Sequence, residues 1–586
     1  MSNPAYDEVR RQMQRMQRPG RGRGRGRGGR GRGRGNHRGG RGRGGRGRFN
    51  NHYGSNSNHN SNDFQINDED IFRIEEIGTN DGSGNSVRIA VQGCSHGALE
   101  NIYDILESYQ QIHERRIDLL LCCGDFQALR NTTDFETISV PPKYRNIGSF
   151  YKYYSGEKIA PILTIVIGGN HESSSYMQEL YYGGWLAPNV YYLGACGVVN
   201  YRGIRIGGMS GIYKDWDYRK GRFEFPPYDN KTLRSVYHVR NFEVARFKLL
   251  AKPQQSLEKE NEDKIKQRPV LDIMMSHDWP RGIEQHGNVD ALLRKKKFFE
   301  QEIRDNNLGS PANEEMLNSL KPSFWFAAHL HVKFQATFQH KLSIKENDEK
   351  PVGKTEEITS DTTFIALESD DTCNDQPTLS ELMTKFLSLD KCLPKKHHLQ
   401  IVNVSENELG DGRSLSSESR LCYDLEWLAI LQKTHHWTHS SQASMPDPDV
   451  NEIDITQEDI DSIRSKLEEI NKSHSIATAI PENFTMTLRP HGSVGANQRI
   501  NQGRMVGNPQ TDDLLKLLGL DHIITVPYIY NNSALSNTDV DANEIDIDDV
   551  DNNEIDIDEE EEDPEISFSG NIAPAVDENE IDLDDL

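Results

Sequence analysis

Residues 87–97 are VRIAVQGCSHG, a largely apolar run that ends in a cluster of cysteine, serine and histidine. A continuous apolar run, unlike an alternating one, is typical of a strand that is covered on both faces. Further runs of this kind follow along the chain, and polar residues come after them. They span residues 117–124, 162–168, 204–209, 271–275 and 324–328.

Helix-like stretches lie between these runs, at residues 99–113 and 289–304. Strands alternating with helices predict an α/β fold, with sheets flanked by helices and polar clusters at the strand ends. In such sheets, ligands bind beyond the carboxyl ends of the strands. We therefore expect any functional site to lie where those clusters meet.

Composition divides the 586 residues into four regions. We predict a disordered Arg/Gly-rich arm at 1–62, a catalytic α/β domain at 85–340 and a C-terminal accessory domain at 360–440. The accessory domain should hold a strand at 364–371 (FIALESDD) and a helix at 380–389 (SELMTKFLSL). Residues 441–586 should be a largely disordered acidic tail, with one short helix at 512–520 (DDLLKLLGL).

The two ends of the chain carry opposite charges. Residues 1–62 hold sixteen arginines against two acids, whereas residues 541–586 hold twenty-one acids and no lysine or arginine. The arm is either a solubility tail or an RNA-binding segment whose guanidinium groups contact phosphates. In the tail, NEIDI occurs at 451–455, 543–547 and 553–557, with NEIDL at 579–583. These repeats are either an interaction motif for protein partners or a low-complexity expansion.

Seven cysteines form an odd count, and the first residues lack the apolar core of a secretory signal. A reducing compartment is therefore expected, in which each cysteine is a core residue, a ligand or a reactive thiol. No run of 18 or more apolar residues occurs, so no membrane-spanning segment is predicted.

Five polar clusters follow the predicted strands, and their side chains are those that bind divalent metals. Imidazole, carboxylate, amide and thiolate groups can together hold two ions a few ångströms apart. Asp125 would bridge both ions, because a charged group with two oxygens can neutralise two adjacent cations. The clusters are Gly93-Cys94-Ser95-His96-Gly97, Gly124-Asp125, Gly168-Gly169-Asn170-His171-Glu172, Ser276-His277-Asp278 and Ala328-His329-Leu330-His331.

In this order the clusters resemble the calcineurin-like metallophosphoesterase superfamily, whose fold is a β-sandwich flanked by helices. The resemblance implies two metal sites that share Asp125. It also implies that His171 is the general acid and that Glu172 orients it. Site one would consist of Cys94, His96, Asp125 and His331, and site two of Asp125, Asn170, His277 and His329.

The first ligand position departs from the superfamily, because Cys94 stands where an aspartate is usual. Cysteine there is typical of lariat debranching enzymes, which segments such as GDFQALRN, GGNHES, SHDWP and AHLHVKF also resemble. The alternative is that Cys94 is a small buried apolar residue. The resemblance implies hydrolysis of 2′–5′ phosphodiester bonds in branched (lariat) RNA with two divalent ions, Fe²⁺, Zn²⁺ or Mn²⁺. It also implies residence in the nucleus, with the cytoplasm as a second location.

Residues 131–160 interleave aromatic and basic side chains, a mixture that suits single-stranded nucleic acid. This insert resembles the recognition loop of the family, although an ordinary packed loop is the alternative. Residues 213–222 (YKDWDYRKGR) form a second candidate wall. The basic tetrad at 294–297 is either a nuclear signal or a solvated helix face. The candidate RNA contacts in the insert are Lys143, Tyr144, Arg145, Tyr153 and Tyr154.

Two other functions share parts of this pattern. A protein Ser/Thr phosphatase would use the same metal scaffold, but Asp125 is followed by Phe126 and Gln127, and the GDxVDRG pattern is absent from the sequence. A non-catalytic RNA-binding scaffold would retain the fold without the chemistry. Against that, every ligand position and the general acid position hold a suitable residue.

Overall fold

The computed structural model describes residues 71, 73–78, 86–252, 269–340, 382–406, 409, 415–471, 476–494, 496 and 506–525. These residues lie in the first of two compact units, residues 1–529. The second unit, residues 530–586, falls outside the described residues, as do the predicted arm 1–62 and the predicted strand 364–371.

Among the described residues, the strands form two seven-stranded mixed sheets. In spatial order the first sheet contains β1 (Glu75–Ile77), β13 (Leu399–Ser405), β2 (Ser86–Gln92), β3 (Leu119–Cys122), β4 (Thr164–Val166), β6 (Val190–Tyr192) and β5 (Gly184–Ala187). The second contains β11 (Phe334–Gln339), β12 (Met383–Ser388), β10 (Phe324–Ala327), β9 (Ile273–Ser276), β8 (Ile204–Met209), β7 (Cys196–Tyr201) and β14 (Leu421–Tyr423).

Helices connect and flank the strands. They are α1 (Leu99–His113), α2 (Phe150–Tyr154), α3 (Ser174–Glu179), α4 (Asp215–Tyr218), α5 (Thr232–Ser235), α6 (Asn241–Leu250), α7 (Val289–Lys295), α8 (Glu300–Arg304), α9 (Pro311–Leu320), α10 (Leu425–Lys433), α11 (Gln457–Ile470) and α12 (Pro509–Leu518). None of the described helices has both the length and the apolar character needed to cross a membrane.

The alternation of side chains along a strand places the core on both faces of the first sheet. In β2, Val87, Ile89 and Val91 lie in the cluster shared with the second sheet, where Ile206 and Phe326 are also found. Ala90 points the other way, into the cluster that contains the buried face of α1. The apolar runs are continuous because both faces of these strands are buried, as the sequence predicts.

Five strands are followed by the predicted polar clusters. We call the edge of the sandwich at which these strands end the functional edge. β2, β3 and β4 are parallel neighbours in one sheet, and β9 and β10 are parallel neighbours in the other. Parallel strands end at the same edge of a sheet, so their following loops are brought together. The α/β sandwich flanked by helices is confirmed.

Two predicted helices differ from the structure. The stretch 289–304 is divided into α7, a 3₁₀ turn at Lys297–Phe299 and α8. The helix predicted at 380–389 is wrong, because those residues contain β12, which pairs with β10 on one side and β11 on the other. Leu, Met and Lys favour a helix locally, but pairing inside a sheet overrides that preference.

Part of the predicted tail at 441–586 lies among the described residues and packs against the rest of the protein. Helix α11 packs against α10, and α12, which confirms the predicted helix at 512–520, contacts β5. Strands β12 and β13 also complete the two sheets of the sandwich, one in each. The described residues beyond 381 therefore extend the same core.

A buried arginine attaches the insert at 131–160 to a C-terminal segment, residues 481–491. Arg130 is fully buried and donates to Asp134 at 2.8 Å, to Glu179 at 2.7 Å and to the Thr487 hydroxyl at 2.9 Å. The Tyr154 hydroxyl also bonds the backbone of Leu488 in both directions. Side chains more than 300 positions apart thus fix the insert in place.

We predict that Arg130→Ala lowers the free energy of unfolding by about 3–5 kcal/mol, because it leaves two buried carboxylates without their cation. Arg304→Ala is the matched control. It removes an ion pair to Glu300 in which both side chains are more than 60% exposed, and should cost less than about 0.5 kcal/mol. Chemical denaturation of both variants gives the comparison. Equal losses would show that the Arg130 network does not stabilise the fold.

Candidate metal centre

The predicted ligand residues converge at the functional edge. Cys94 and His96 follow β2, Asp125 follows β3, Asn170 follows β4, His277 follows β9, and His329 and His331 follow β10. Four of the donor atoms, from Cys94, His96, Asp125 and His331, lie within 4.8 Å of one another. A thiol, two imidazoles and a carboxylate grouped this closely are a candidate set of ligands for one ion.

The carboxylate of Asp125 faces two groups of donors. Its Oδ1 lies 3.3 Å from Nε2 of His277, whereas its Oδ2 lies 3.7 Å from Nε2 of His96 and 3.5 Å from Nδ1 of His171. Oδ1 also accepts the backbone N–H of His171 at 2.9 Å. Each oxygen is therefore directed at a different predicted metal site, as a bridging ligand requires.

The donors predicted for site two are also close together. Nε2 of His277 lies 3.1 Å from Oδ1 of Asn170, and the rings of His277 and His329 are 4.9 Å apart at their centroids. Nδ1 of His277 donates to the Cys123 carbonyl at 2.8 Å. This bond fixes the ring so that Nε2 faces the donor cluster.

The backbone around the centre is strained. His96, Asp125, Gln127, His329 and His331 all have positive φ, between 44° and 61°, which side chains other than glycine rarely adopt. Gly169 lies so close to Asp125 that a Cβ there would overlap Oδ1. Strain of this kind is concentrated where function needs an exact position for a side chain.

The protonation states suit metal binding. Burial lowers the pKa of His329 to about 3 and that of His331 to about 2, with neighbouring histidines adding to the effect. Both imidazoles are therefore neutral at physiological pH and can donate a lone pair. Burial opposes ionisation of Asp125, but His277 and His171 hold its pKa well below the usual range.

The Cys94 thiol is fully buried, and burial, together with Asp125, raises its pKa well above the ordinary value. A divalent ion reverses this balance, because it binds the thiolate and displaces the proton. The donor set of one thiol, two imidazoles and one carboxylate is thus suited to a borderline-soft divalent ion.

Glu172 accepts three backbone N–H groups around the centre. Its Oε1 accepts the backbone N–H groups of Phe126 at 2.7 Å and Gly169 at 3.0 Å, and its Oε2 accepts that of Gln127 at 2.8 Å. Burial, with the repulsion of Asp125, raises its pKa to about 7. Glu172 therefore connects the loops after β3 and β4. Asp125 contacts His171 directly, and the predicted orientation of His171 by Glu172 stays a prediction.

The structure divides the predicted RNA contacts. Tyr153 and Tyr154 are buried, with 3% and 0% exposure, so their predicted RNA contact is wrong: they pack in the core beneath the insert. Arg145 is half-buried and donates to the Val140 carbonyl. Lys143 and Tyr144 are exposed, and their RNA contact stays a prediction.

Sequence reasoning missed some residues near the centre. Nε2 of the Gln127 amide lies 3.4 Å from Nδ1 of His96. In the sequence, Gln127 serves only as a reason against a Ser/Thr phosphatase. Lys391 lies close enough to His331 to lower its pKa, and Cys392 donates its N–H to the Cys94 carbonyl at 2.9 Å. The loop after β12 approaches site one because β12 is a strand of the second sheet. A helix at 380–389, as predicted from the sequence, gave no reason to expect this contact.

Comparisons with known proteins agree with this geometry. Residues 87–333 match the family of calcineurin-like phosphoesterases, and residues 381–523 match the C-terminal domain of lariat debranching enzymes. The chain is 44% identical to the chicken lariat debranching enzyme over 75% of its own length and 71% of the relative's. The corresponding figures are 42%, 74% and 69% for the human enzyme, and 41%, 78% and 91% for the one from Arabidopsis thaliana.

We predict that Cys94→Ala removes most of the metal bound at site one, because the thiolate is one of four donors. Cys123→Ala deletes an equally buried thiol that points into the sandwich core and should keep its metal. Elemental analysis of both purified variants gives the metal-to-protein ratio. Equal metal contents would mean that Cys94 is a core residue and not a ligand.

Proposed function

The chain belongs to the lariat debranching enzyme family, and from this membership we propose that it hydrolyses the 2′–5′ phosphodiester bond at the branch point of excised intron lariats. This reaction would linearise the lariats for turnover during mRNA processing. The observation that carries the proposal is the position of Cys94, grouped with His96, Asp125 and His331 within 4.8 Å. A calcineurin-like phosphoesterase is a divalent-metal hydrolase, and the donor set suits that chemistry.

Two ions are proposed, and the residues divide between them through Asp125. One ion would be held by Cys94, His96, Asp125 and His331, and the other by Asp125, Asn170, His277 and His329. Bound divalent ions lower the pKa of water and neutralise charge on a phosphate. Thiolate and imidazole donors favour Zn²⁺ or Fe²⁺ over Mg²⁺, with Mn²⁺ as a further candidate.

His171 is proposed to protonate the departing 2′ oxygen. Its side chain is 16% exposed, so it lies at the surface of the centre where a substrate can reach it. Its Nδ1 is directed at Oδ2 of Asp125, so we assign the donated proton to Nε2. A carboxylate next to the ring stabilises the protonated form that a general acid needs.

Three exposed aromatic side chains, each beside a lysine, are proposed to hold the RNA strands. Tyr144, Trp216 and Phe298 are 52%, 60% and 50% exposed. The ammonium groups of Lys143, Lys214 and Lys296 lie 4.4, 5.4 and 5.6 Å from their respective ring centroids. A ring on which a base can stack, beside a cation for the phosphate, is the usual surface for single-stranded nucleic acid.

Each pair belongs to a segment that reaches the metal centre. The insert with Tyr144 is bonded through Ser149 to Gly97, next to His96. The segment with Trp216 begins at Gly211, whose N–H donates to Gly168 at 2.9 Å. Lys296 lies within electrostatic range of Lys391, beside site one. A branch nucleotide joins three RNA strands, and the three lysine–aromatic pairs offer one binding position for each strand.

We further propose that the protein resides in the nucleus, where introns are excised, with the cytoplasm as a second location, and that the acidic tail binds protein partners. Residues 526–586 of the tail lie outside the described residues, and the second proposal is supported by their acidic charge and by their NEIDI repeats. Imaging a fluorescently tagged chain tests the first, since a signal confined to the cytoplasm would contradict it.

For the RNA surface, we predict that Trp216→Ala raises KM for branched RNA by about 5- to 150-fold with little change in kcat, because it removes one stacking platform. Trp216→Phe keeps a ring and should recover most of the affinity. Steady-state kinetics separate the two constants. An unchanged KM in the alanine variant would remove Trp216 from the RNA surface.

For the reaction, we predict that the purified, metal-loaded protein cuts a synthetic branched RNA at its 2′–5′ bond and leaves the 3′–5′ strand intact. His171→Ala should lose on the order of 10²–10⁴-fold in single-turnover rate while keeping its metal. Asp125→Ala should lose metal as well, because each of its oxygens faces a different site.

The substrates separate the alternatives. Cleavage of a phosphopeptide in place of branched RNA would favour a Ser/Thr phosphatase. Tight binding of branched RNA with no cleavage by the metal-loaded protein would indicate a non-catalytic scaffold. A His171→Ala variant that has lost its metal would make that residue a ligand.

A further inference from the structure

The first NEIDI copy, residues 451–455, is bound by two lysines from different helices. Lys252, which follows α6, donates to the backbone carbonyl of Ile453 at 3.0 Å and to the Asp454 carboxylate at 2.5 Å. Lys433, the last residue of α10, donates to the Asp454 carbonyl at 2.8 Å. We call this the Lys252–Lys433 site.

The site also has an apolar component. Ile455 is only 9% exposed, whereas Asn451 and Glu452 at the start of the motif are exposed. The next residue, Thr456, caps α11 by accepting the backbone N–H of Asp459. The contacts that depend on side-chain identity are thus the aspartate, the buried isoleucine and the capping residue.

Each tail copy keeps these three features. The aspartate recurs in every copy, and isoleucine or leucine follows it. At the capping position the tail copies have aspartate, which is at least as good an N-cap residue as threonine. The corresponding residues are Asp546, Ile547 and Asp548; Asp556, Ile557 and Asp558; and Asp582, Leu583 and Asp584.

Charge also favours binding of the tail copies at this site. Residues 541–586 contain no lysine or arginine, so their carboxylates have no cation within the segment. Lys252 and Lys433 are 26% and 34% exposed, and Lys433 also forms an ion pair with Asp459 of α11 at 2.5 Å. Lys252, whose carboxylate partner is Asp454 of the motif, therefore supplies the charge that a tail carboxylate would meet. A peptide with the same aspartate and apolar residue would meet both requirements of the site.

We propose that the Lys252–Lys433 site is a binding site for NEIDI peptides, and that the copies at 543–547, 553–557 and 579–583 occupy it when residues 451–455 leave. The first copy has the advantage of a short connection on both sides, which gives it a high effective concentration. The fraction of molecules in which a tail copy replaces residues 451–455 therefore depends on how strongly those residues are bound. Each molecule carries three tail copies that compete with residues 451–455 for the Lys252–Lys433 site.

The test uses the full chain and a carbodiimide that joins lysine amines directly to carboxylates. Ile455→Ser weakens the first copy by removing its buried side chain, and should raise cross-links from Lys252 or Lys433 to residues 541–586 by about tenfold. Mass spectrometry maps the linked peptides. Mixing ¹⁴N- and ¹⁵N-labelled protein shows whether the bound tail copy belongs to the same molecule or to another, and either result supports the site.

A matched control separates motif recognition from simple charge attraction. Ile547→Ser, Ile557→Ser and Leu583→Ser, added together to the Ile455→Ser chain, keep every carboxylate and remove only the apolar residues. Cross-links that disappear support the proposal, and cross-links that persist overturn it. An Ile455→Ser chain that forms no such cross-links also overturns it.

Folding is checked by circular dichroism and by cleavage of branched RNA, since neither lysine belongs to the metal centre. If Ile455→Ser does not fold, Asp454→Ala loosens the copy and leaves Ile455 in place. A labelled peptide of residues 541–559 then serves as the ligand in fluorescence anisotropy. It should bind this variant, and Lys252→Glu should weaken that binding about tenfold. Equal affinity with and without Lys252→Glu overturns the proposal.

Discussion

The two oxygens of Asp125 face different sets of donors, and the rest of the centre is arranged around that carboxylate. A single group can bridge two sites only if its backbone position is fixed and its oxygens are held apart in direction. The strand β3 supplies the position, since it lies between β2 and β4 in the first sheet. His277, from the second sheet, reaches Oδ1, so the bridging geometry depends on the packing of the two sheets.

Holding that carboxylate requires strained backbone and a second buried acid. Asp125 has a φ of 45°, and the amides that follow it donate to Glu172. The oxygens of Glu172 are used in tying the loops together, so this acid organises the centre from beneath. Buried polar groups of this kind stabilise one geometry only when their bonds are satisfied. The arrangement places His171 at the surface of the centre and the metal donors below it.

The C-terminal part of the chain contributes to the same centre in two ways. β12 brings Cys392 to the Cys94 carbonyl, and residues 481–491 hold the insert through Arg130 and Tyr154. A separate domain that only followed the sandwich would make neither the contact to Cys94 nor the contacts to the insert. Residues 381–523, which match the C-terminal domain of lariat debranching enzymes, therefore supply contacts both to the centre and to the insert. Residues 451–455 of this part occupy the Lys252–Lys433 site, on a surface formed by the end of α6 and the end of α10.

The sequence by itself determined the apolar strands, the order of the polar clusters and the chemical nature of the donors. Continuous burial produces continuous apolar runs, and metal ligation admits few residue types, so Cys94, Asp125 and His277 could be named as candidate ligands without coordinates. It could not reveal that Tyr153 and Tyr154 are core residues or that 380–389 contains a strand. An aromatic residue looks the same in the sequence whether its side chain faces RNA or the protein interior. Local helix propensity, likewise, carries no information about the strand with which a segment pairs. Only the tertiary structure decided these points, because burial and strand pairing depend on residues distant in the chain. For the same reason, it alone placed Lys252 and Lys433 around one NEIDI copy.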